Sequence, residues 1–251
     1  MTAPRIVGVI PARYDSTRFK GKVLADLLGK PMIQHVYERA RRSHRLDDVL
    51  IACDSELIVQ KAKEFGATAV LTAATHESGS DRIAEAVRSL KADIVINIQG
   101  DEPLIDPQAI DLLAGEISAD PDCLMATLIK IIDRPEDLTD SNVVKVVVDQ
   151  HRNALYFSRA PIPFDRERKG LSPEGYYRHL GIYAYRKEFL TMFIRLPKSR
   201  LERIEQLEQL RVLEAGYKIK TVVTDSESMG VDTPGDLARV EEFLKKKAGH
   251  G

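Results

Sequence analysis

The chain has 251 residues and is nearly neutral, with 37 Lys and Arg against 38 Asp and Glu. This balance, together with 43% hydrophobic residues, argues against a nucleic-acid-binding protein and against a disordered one. No apolar stretch is long enough for a signal peptide or a membrane span, so we expect a cytoplasmic protein with no membrane partner. The two cysteines, Cys53 and Cys123, lie in apolar runs without zinc-binding spacing and are expected to be core residues.

The first half of the chain alternates short apolar strands with amphipathic helices. Strands are predicted at 5–10, 48–53, around Val70 and at 95–99. Helices are predicted at 29–40, after 54–55, from Ser78 onwards and at 107–117. Crossovers of this kind build a mainly parallel sheet with helices on both faces, which predicts an α/β fold.

The pattern changes in the middle of the chain. The segments 124–132, 143–148 and 154–157 are strand-like and have no long helix between them, so we expect them to be antiparallel, to continue the main sheet and to extend a smaller lobe. The segment 198–216 is predicted to be one regular helix. In it, Glu208 and Arg211 project into the apolar arc, and a carboxylate there needs a partner. Glu208 could pair with Arg211 or face a polar ligand pocket, and the sequence leaves both open.

A polar turn follows the strand predicted at 95–99. The strand ends at Gln99, which is the first residue of the turn, and Gly100 and Asp101 come next. In open α/β sheets ligands bind beyond the carboxyl ends of the strands, and Gly100 would let a ligand approach the backbone closely. Asp101 is suited to Mg²⁺, which takes one or two protein carboxylates together with substrate phosphates. An exposed acidic turn is the alternative, since these are also ordinary turn residues.

A basic loop follows the first predicted strand. It carries Arg13, Arg18, Lys20 and Lys22, whose side chains could bind a triphosphate through charge-assisted hydrogen bonds. The loop has neither the Walker A pattern nor the G-x-G-x-x-G pattern, and the second absence weighs against NAD binding. The alternative is a solvated basic loop without a ligand.

Two further charged residues lie at predicted helix starts. Arg82 falls in the first turn of the third helix, where the helix dipole favours anions, so we expect it to serve a ligand. Asp232 lies before Pro234, where it could simply cap the last helix. It could equally be the second carboxylate of a Mg²⁺ site beside Asp101.

Six sequence blocks occur in an order that closely resembles the 3-deoxy-manno-octulosonate cytidylyltransferase (CMP-Kdo synthetase) family. The similarity extends from about Ile6 to Val240. The blocks are Pro11-Ala-Arg-Tyr-x-Ser-Thr-Arg-x-x-Gly-Lys22, Gln99-Gly-Asp-Glu-Pro103, Ala154-Leu-Tyr-Phe-Ser-Arg159, Arg178-His-Leu-Gly-Ile-Tyr183, Leu207-Glu-Gln-Leu-Arg-Val-Leu213 and Gly230-Val-Asp-Thr-Pro234. The family's first loop commonly contains Leu-Pro-Gly-Lys-Pro, whereas here Lys20 and Val23 occupy the two proline positions.

The resemblance implies an enzyme that transfers CMP from CTP to the anomeric hydroxyl of 3-deoxy-D-manno-octulosonate (Kdo), releasing pyrophosphate, for lipopolysaccharide biosynthesis. It implies a nucleotide-diphospho-sugar transferase-like (Rossmann-like) fold and a homodimer. We expect residues 1–251 to form a single nucleotidyltransferase domain. Within it, residues 124–190 would contribute the smaller β-rich lobe, with the sugar pocket and a dimer contact.

The resemblance also implies roles for individual residues. The triphosphate would be held by Arg13, Arg18 and Lys22, and the cytidine would lie near Arg82 and Gln99. Mg²⁺ would be bound by Asp101 and Asp232, which with Arg13 and Lys22 form the expected catalytic set. The sugar-acid pocket would be lined by Arg159, His179, Tyr183, Glu208 and Gln209.

Two alternatives stay open at this point. A cytidylyltransferase for another acidic sugar, such as 8-amino-Kdo or a sialic acid, would share the CTP half and differ in pocket contacts. A nucleotide-binding protein without catalytic activity could have the same fold. The sequence identifies no dedicated general base.

Overall fold

A mixed β-sheet forms the centre of the structure. The computed structural model describes residues 3–15, 19–167, 175–227 and 229–248. Within these ranges the strands are β1 (Ile6–Ala12), β2 (Asp26–Leu27), β3 (Lys30–Pro31), β4 (Asp48–Cys53), β5 (Thr68–Leu71), β6 (Ile94–Asn97), β7 (Met125–Ile131), β8 (Lys145–Val148), β9 (Ala154–Ser158), β10 (Tyr177–Arg186) and β11 (Lys220–Val223). The helices are α1 (Met32–Ala40), α2 (Glu56–Glu64), α3 (Gly79–Ala86), α4 (Pro107–Ala119), α5 (Pro135–Thr139), α6 (Lys187–Phe193), α7 (Arg200–Glu205), α8 (Leu210–Glu214) and α9 (Pro234–Ala248).

The main sheet has the strand order β11-β7-β10-β6-β1-β4-β5. Strands β6, β1, β4 and β5 are parallel to one another, and β11 is parallel to β7. Strand β10 runs antiparallel to both β6 and β7, so six of the seven strands in this order share one direction. The prediction of a mainly parallel α/β sheet is therefore confirmed.

A smaller antiparallel extension leaves the main sheet at the beginning of β10. Strand β8 pairs antiparallel with β10 and with β9. This agrees with the predicted antiparallel character of the middle segment, and β7, from the same segment, continues the main sheet as expected. The single-domain assignment and the dimer contact at this lobe stay predictions.

Helices cover both faces of the sheet, as predicted. Alternate residues of β1 point to opposite faces, so Ile6 and Ile10 enter one hydrophobic core and Val7 and Val9 enter the other. The first core also receives apolar residues of α1, α2, α4 and α9. The second receives residues of α3, α6 and α8. The two expected core cysteines, Cys53 and Cys123, are indeed buried.

The prediction of one continuous helix over 198–216 is wrong. Helix α7 ends at Glu205, Gln206 adopts a left-handed conformation (φ 55°, ψ 46°), and α8 begins only at Leu210. Ile204, which a continuous helix would place on its apolar face with Leu201 and Leu207, is 65% exposed. The apolar period across 198–216 thus comes from two short helices.

Contacts with the antiparallel lobe explain the break. The Arg159 guanidinium donates to the backbone carbonyls of Glu205 (Nε, 2.8 Å) and Gln206 (3.4 Å). The last carbonyls of a helix have no partner within it, and here Arg159 supplies one. The Glu205 carboxylate in turn accepts hydrogen bonds from the Ser158 hydroxyl and the Arg159 backbone N–H. This tertiary contact could not be inferred from periodicity within the helix.

The part of the chain that the structure describes contains no helix with both the length and the apolar composition needed to cross a membrane.

The end of β1 and the segment that follows β6 meet through their backbones. A Cβ atom added to Gly100 would lie 2.6 Å from the Pro11 carbonyl oxygen, too close for any side chain. The backbone N–H of Val231 also donates to the Asp101 carbonyl at 2.8 Å. Three segments that are distant in sequence are therefore fixed side by side at the carboxyl ends of the central strands.

This contact gives a prediction about stability. We expect Gly100→Ala to lower the free energy of unfolding by about 1 to 3 kcal/mol, the usual range for an overpacked site, because Pro11 offers a backbone atom that cannot rotate away. Urea denaturation measures the change.

Gly235→Ala is the matched control for that measurement. A Cβ there has Thr233 Oγ1 as its nearest neighbour at 3.6 Å, and alanine favours a helix more than glycine. The control should therefore be as stable as the wild type or more so. Equal unfolding midpoints for Gly100→Ala and the wild type would contradict the close approach of Gly100 to the Pro11 carbonyl.

Candidate active site

A cavity of about 290 Å³ opens beyond the carboxyl ends of β1 and β6. Its lining includes six residues that the sequence marked for the nucleotide and the metal: Arg13, Lys22, Arg82, Gln99, Asp101 and Asp232. The seventh, Arg18, lies outside the described residues. The cavity therefore brings together side chains that are up to about 220 positions apart in the sequence, at the place where open α/β sheets bind ligands.

Lys22 connects the two carboxylates of the cavity. Its ammonium nitrogen lies 2.7 Å from Asp101 Oδ2 and 3.0 Å from Asp232 Oδ1. It also donates to the carbonyl oxygen of Val231 at 3.0 Å. The Lys22 side chain is 11% exposed. Two carboxylates that would repel each other are thus held together around one positive charge.

The donor set at this point fits magnesium. Asp101 and Asp232 already converge on a single cationic group, and carboxylate oxygens are the ligands that Mg²⁺ prefers. The described residues contain no group of three or more His, Cys, Asp or Glu side chains that could hold a metal by themselves. A magnesium ion here would therefore need further oxygen ligands, which water and substrate phosphates commonly provide.

Arg82 is buried and anchors the first loop. Its guanidinium donates to the Asp54 carboxylate at 3.1 Å and to the Thr72 hydroxyl at 2.7 Å. Asp54 also accepts a hydrogen bond from the backbone N–H of Tyr14 at 2.9 Å. The Asp54 charge explains why a cation is tolerated near the start of α3. A role for Arg82 at the cytidine stays a prediction, and its observed contacts fix the wall of the cavity.

Gln99 connects the cavity to strand β10. Its side-chain nitrogen donates to the carbonyl of Gly181 at 2.8 Å. The pairing of β10 with β7 shifts register between Leu180 and Tyr183, next to this carbonyl. An amide fixed in this way is a preorganised hydrogen-bonding group at the edge of the cavity.

A second cavity, of about 520 Å³, adjoins the first. Both are lined by His76, Glu77 and Ser78, in the loop that precedes α3. The second also contains Glu208 and Arg211. Two ligands bound in the two cavities would lie on either side of this shared loop.

Glu208 faces the second cavity, and its cationic neighbour Arg211 is paired more closely with Glu202. Arg211 makes a bidentate ion pair with Glu202 at 2.8 and 2.5 Å, and its distance to Glu208 is 3.9 Å. The Ser80 hydroxyl donates to the Glu208 carboxylate at 2.7 Å. Burial raises the pKa of Glu208 above its ordinary value, despite this hydrogen bond. Both alternatives left open by the sequence are therefore present, since Glu208 lines the cavity and also forms a long ion pair with Arg211.

His179 and Tyr183 lie on β10 and contact each other through their rings, with centroids 5.2 Å apart. Burial lowers the pKa of His179 to about 3, so its ring is neutral near pH 7. The Thr127 hydroxyl donates to the Ile182 carbonyl at 2.7 Å and lies 2.9 Å from His179 Nε2. Since a hydroxyl has one proton, the Nε2 atom of His179 is the protonated one.

The remaining predicted sugar-pocket residues are Arg159 and Gln209. The Arg159 guanidinium donates to three backbone carbonyls, those of Glu205, Gln206 and Ser141. Gln209 is buried immediately before α8. Neither residue is in the lining of the two cavities described above, and neither are His179 and Tyr183. The roles of these four residues at a sugar stay predictions.

Sequence reasoning missed His76, which lines both cavities. Its Nε2 atom contacts the Glu85 carboxylate, which also accepts a hydrogen bond from the backbone of Ala73. This pairing lowers the pKa of Glu85 and holds the loop against α3. Its position in the sequence could have indicated it, because His76 lies two residues before the polar cluster that begins at Ser78.

Comparison with known proteins agrees with this geometry. A family model described as "Cytidylyltransferase" matches residues 7–219. The chain is 53% identical to the 3-deoxy-manno-octulosonate cytidylyltransferase of Solibacter usitatus (strain Ellin6076), over 96% of this chain and 95% of that protein. It is 51% identical to the protein of the same name in Syntrophus aciditrophicus (strain SB), over 97% of this chain and 99% of that one.

A solved structure is similar throughout. It is described as CMP:2-keto-3-deoxy-manno-octonic acid synthetase complexed with CTP, and it superposes with a TM-score of 0.92 at 43% identity. The match covers 97% of this chain and 99% of the other. The chain therefore belongs to the cytidylyltransferase family and, within it, to the 3-deoxy-manno-octulosonate cytidylyltransferases.

Proposed function

We propose that this protein transfers CMP from CTP to the anomeric hydroxyl of Kdo and releases pyrophosphate. The observation that carries the proposal is the convergence of Lys22, Asp101 and Asp232 in a cavity of the fold that is shared with cytidylyltransferases. The identity of the nucleotide and of the sugar acid is taken from the names of relatives that are about half identical over nearly the whole chain.

The first cavity suits a nucleoside triphosphate. Arg13 is exposed at the end of β1, and Lys22 lies deeper beside Asp101, so two cations border the space in which phosphates would lie. Gly100 leaves the backbone uncovered by a side chain. Fixed cations of this kind neutralise the charge that develops on phosphate oxygens during attack at the α-phosphate.

Asp101 and Asp232 are the residues that would hold Mg²⁺. When bound there, the ion would neutralise phosphate charge and lower the pKa of a coordinated hydroxyl. The protein contributes by positioning the two carboxylates. Contact between the Val231 backbone and Asp101 sets the two carboxylates side by side before any ligand arrives.

The second cavity suits a polyhydroxylated sugar acid. Glu208, fixed by Ser80, offers a hydrogen-bond acceptor for sugar hydroxyls. Because both cavities share the loop 76–78, a sugar bound in the second would lie next to phosphates bound in the first. Arg159 already donates to three backbone carbonyls. To bind the sugar carboxylate it would have to use another of its N–H donors or give up one of these three hydrogen bonds.

A homodimer through the antiparallel lobe is part of the proposal. Two large apolar side chains on or near β9 support it, since Leu155 is 60% exposed and Phe164 is 79% exposed. Exposed apolar groups on a small lobe are typical of an interface between proteins.

The substrate is tested by measuring pyrophosphate release from CTP and Mg²⁺ with Kdo, 8-amino-Kdo or N-acetylneuraminate as separate acceptors. We expect a signal dominated by Kdo, because the relatives named above act on that sugar acid according to their names. A preference for another acid would keep the nucleotide cavity and overturn the sugar assignment. No release with any acceptor, combined with stabilisation by CTP and Mg²⁺, would favour the non-catalytic alternative.

The role of Asp101 is tested by Asp101→Asn, which removes a metal-binding charge and half of the counter-charge of Lys22. We expect turnover to fall by about 100-fold or more, as for the loss of one electrostatic group at a reacting phosphate or carbonyl, and the Mg²⁺ requirement to rise. Asp122→Asn is the matched control, since Asp122 is exposed and lies outside this cavity. Near-normal turnover of Asp101→Asn at limiting Mg²⁺ would refute the metal role.

A further inference from the structure

The ammonium of Lys22 has no hydrogen-bond donor left for a phosphate. An ammonium group has three N–H donors. In this structure they serve Asp101 Oδ2, Asp232 Oδ1 and the Val231 carbonyl, at 2.7, 3.0 and 3.0 Å. The side chain is almost enclosed, at 11% exposure. Lys22 is therefore committed to the two carboxylates when no ligand is present.

This arrangement conflicts with the roles that the proposed function gives to the same groups. Lys22 is expected to bind the triphosphate, and the two carboxylates are expected to bind a divalent cation. The cation would need to lie roughly 2.1 Å from the carboxylate oxygens if it is Mg²⁺. The Lys22 nitrogen already lies between those oxygens, and two positive groups so close together would repel each other.

We propose that Lys22 is an exchangeable internal counter-ion. It occupies the cation position between Asp101 and Asp232 in the nucleotide-free protein, and it moves to the phosphates when a divalent cation takes that position. This inference rests on the proposed function for the identity of the two ligands. Beyond that function, the inference is that the Lys22 ammonium and the metal cannot both occupy the position between Asp101 and Asp232.

The flexibility of the lysine makes such an exchange feasible. Its ammonium is carried on a stem of four carbon atoms, so it can move several ångströms without a change in the backbone. Gly21, immediately before it, has φ of +68°, which places Lys22 at the start of a 3-10 turn. The carboxylates are held from the other side by the hydrogen bond from Val231 N to the Asp101 carbonyl, so the metal ligands can stay in place as the lysine leaves.

The exchange couples the two ligands. Removing the ammonium without a replacement leaves two facing carboxylates, and adding a metal beside the ammonium brings two cations together. Each step is unfavourable alone, and each is favoured by the other. Since coupling between binding sites is reciprocal, the nucleotide should raise the affinity for metal as much as the metal raises the affinity for nucleotide.

The test measures metal binding without nucleotide, so it does not depend on catalysis. Mn²⁺ is titrated into the wild type and into Lys22→Met, and free Mn²⁺ is followed by its electron paramagnetic resonance signal. We expect Lys22→Met to bind Mn²⁺ on the order of tenfold more tightly than the wild type, within the usual size of coupling between sites. Adding Asp101→Asn to Lys22→Met should abolish the gain, because the metal then loses a ligand.

Two further variants complete the design. Lys20→Met is the matched control, because Lys20 is a nearby exposed lysine whose contact in this structure is with Asp15 at 3.5 Å. It should leave Mn²⁺ affinity at the wild-type value. Lys22→Gln is a second neutral variant, which keeps a hydrogen-bond donor. It replaces Lys22→Met in the titration if Lys22→Met does not fold. We expect it to show the same gain.

Unchanged or weaker Mn²⁺ binding by a folded neutral variant would overturn the exchange. A gain that survives Asp101→Asn would also overturn it, since the metal would then bind elsewhere. The outcome is separable from that of the proposed function. Pyrophosphate release with Kdo but no gain in Mn²⁺ affinity would support the proposed function and contradict the exchange. A gain in Mn²⁺ affinity without pyrophosphate release would support the exchange and contradict the proposed function.

Discussion

The first cavity depends on one partly buried ionic contact, in which the Lys22 ammonium holds Asp101 and Asp232 together. These residues come from the loop after β1, the loop after β6 and the segment before α9. Without a cation between them the two carboxylates would repel each other, which would weaken the junction of the three segments. The contact between Gly100 and Pro11 and the hydrogen bond from Val231 to Asp101 reinforce the same junction through the backbone. The junction is therefore both structural and functional.

The two cavities differ in the way they can recognise a ligand. The first is bordered by arginine and lysine cations and by a pair of carboxylates, which suits phosphates accompanied by a divalent cation. Near the second, charges are paired or suppressed. Arg211 is neutralised by Glu202, and burial disfavours the charged form of Glu208 by raising its pKa. Selectivity for a sugar acid would then rest on hydrogen bonds of fixed direction, such as those available at Glu208, more than on net charge.

Local sequence patterns predicted the fold and several residues that line the first cavity, and long-range contacts account for what was missed. Strand and helix order follows from hydrophobic period, and Gln99 and Asp101 were found because polar residues at a strand end are a local signal. The break at Gln206 was not found, because it depends on Arg159, a residue 46 positions away from Glu205. The partners of Lys22 lie 79 and 210 positions away, so its role as their counter-ion was invisible in the sequence. The family resemblance named these residues but not their mutual contact.

The most direct test of this account is a pair of crystal structures, one of the free protein and one with CTP and Mg²⁺. In the free protein we expect the Lys22 nitrogen within hydrogen-bond distance of both Asp101 and Asp232. In the complex we expect a metal bound by those two carboxylates and the Lys22 nitrogen against a phosphate oxygen. A complex in which Lys22 still contacts both carboxylates, with the metal bound elsewhere, would contradict the central role given to this contact.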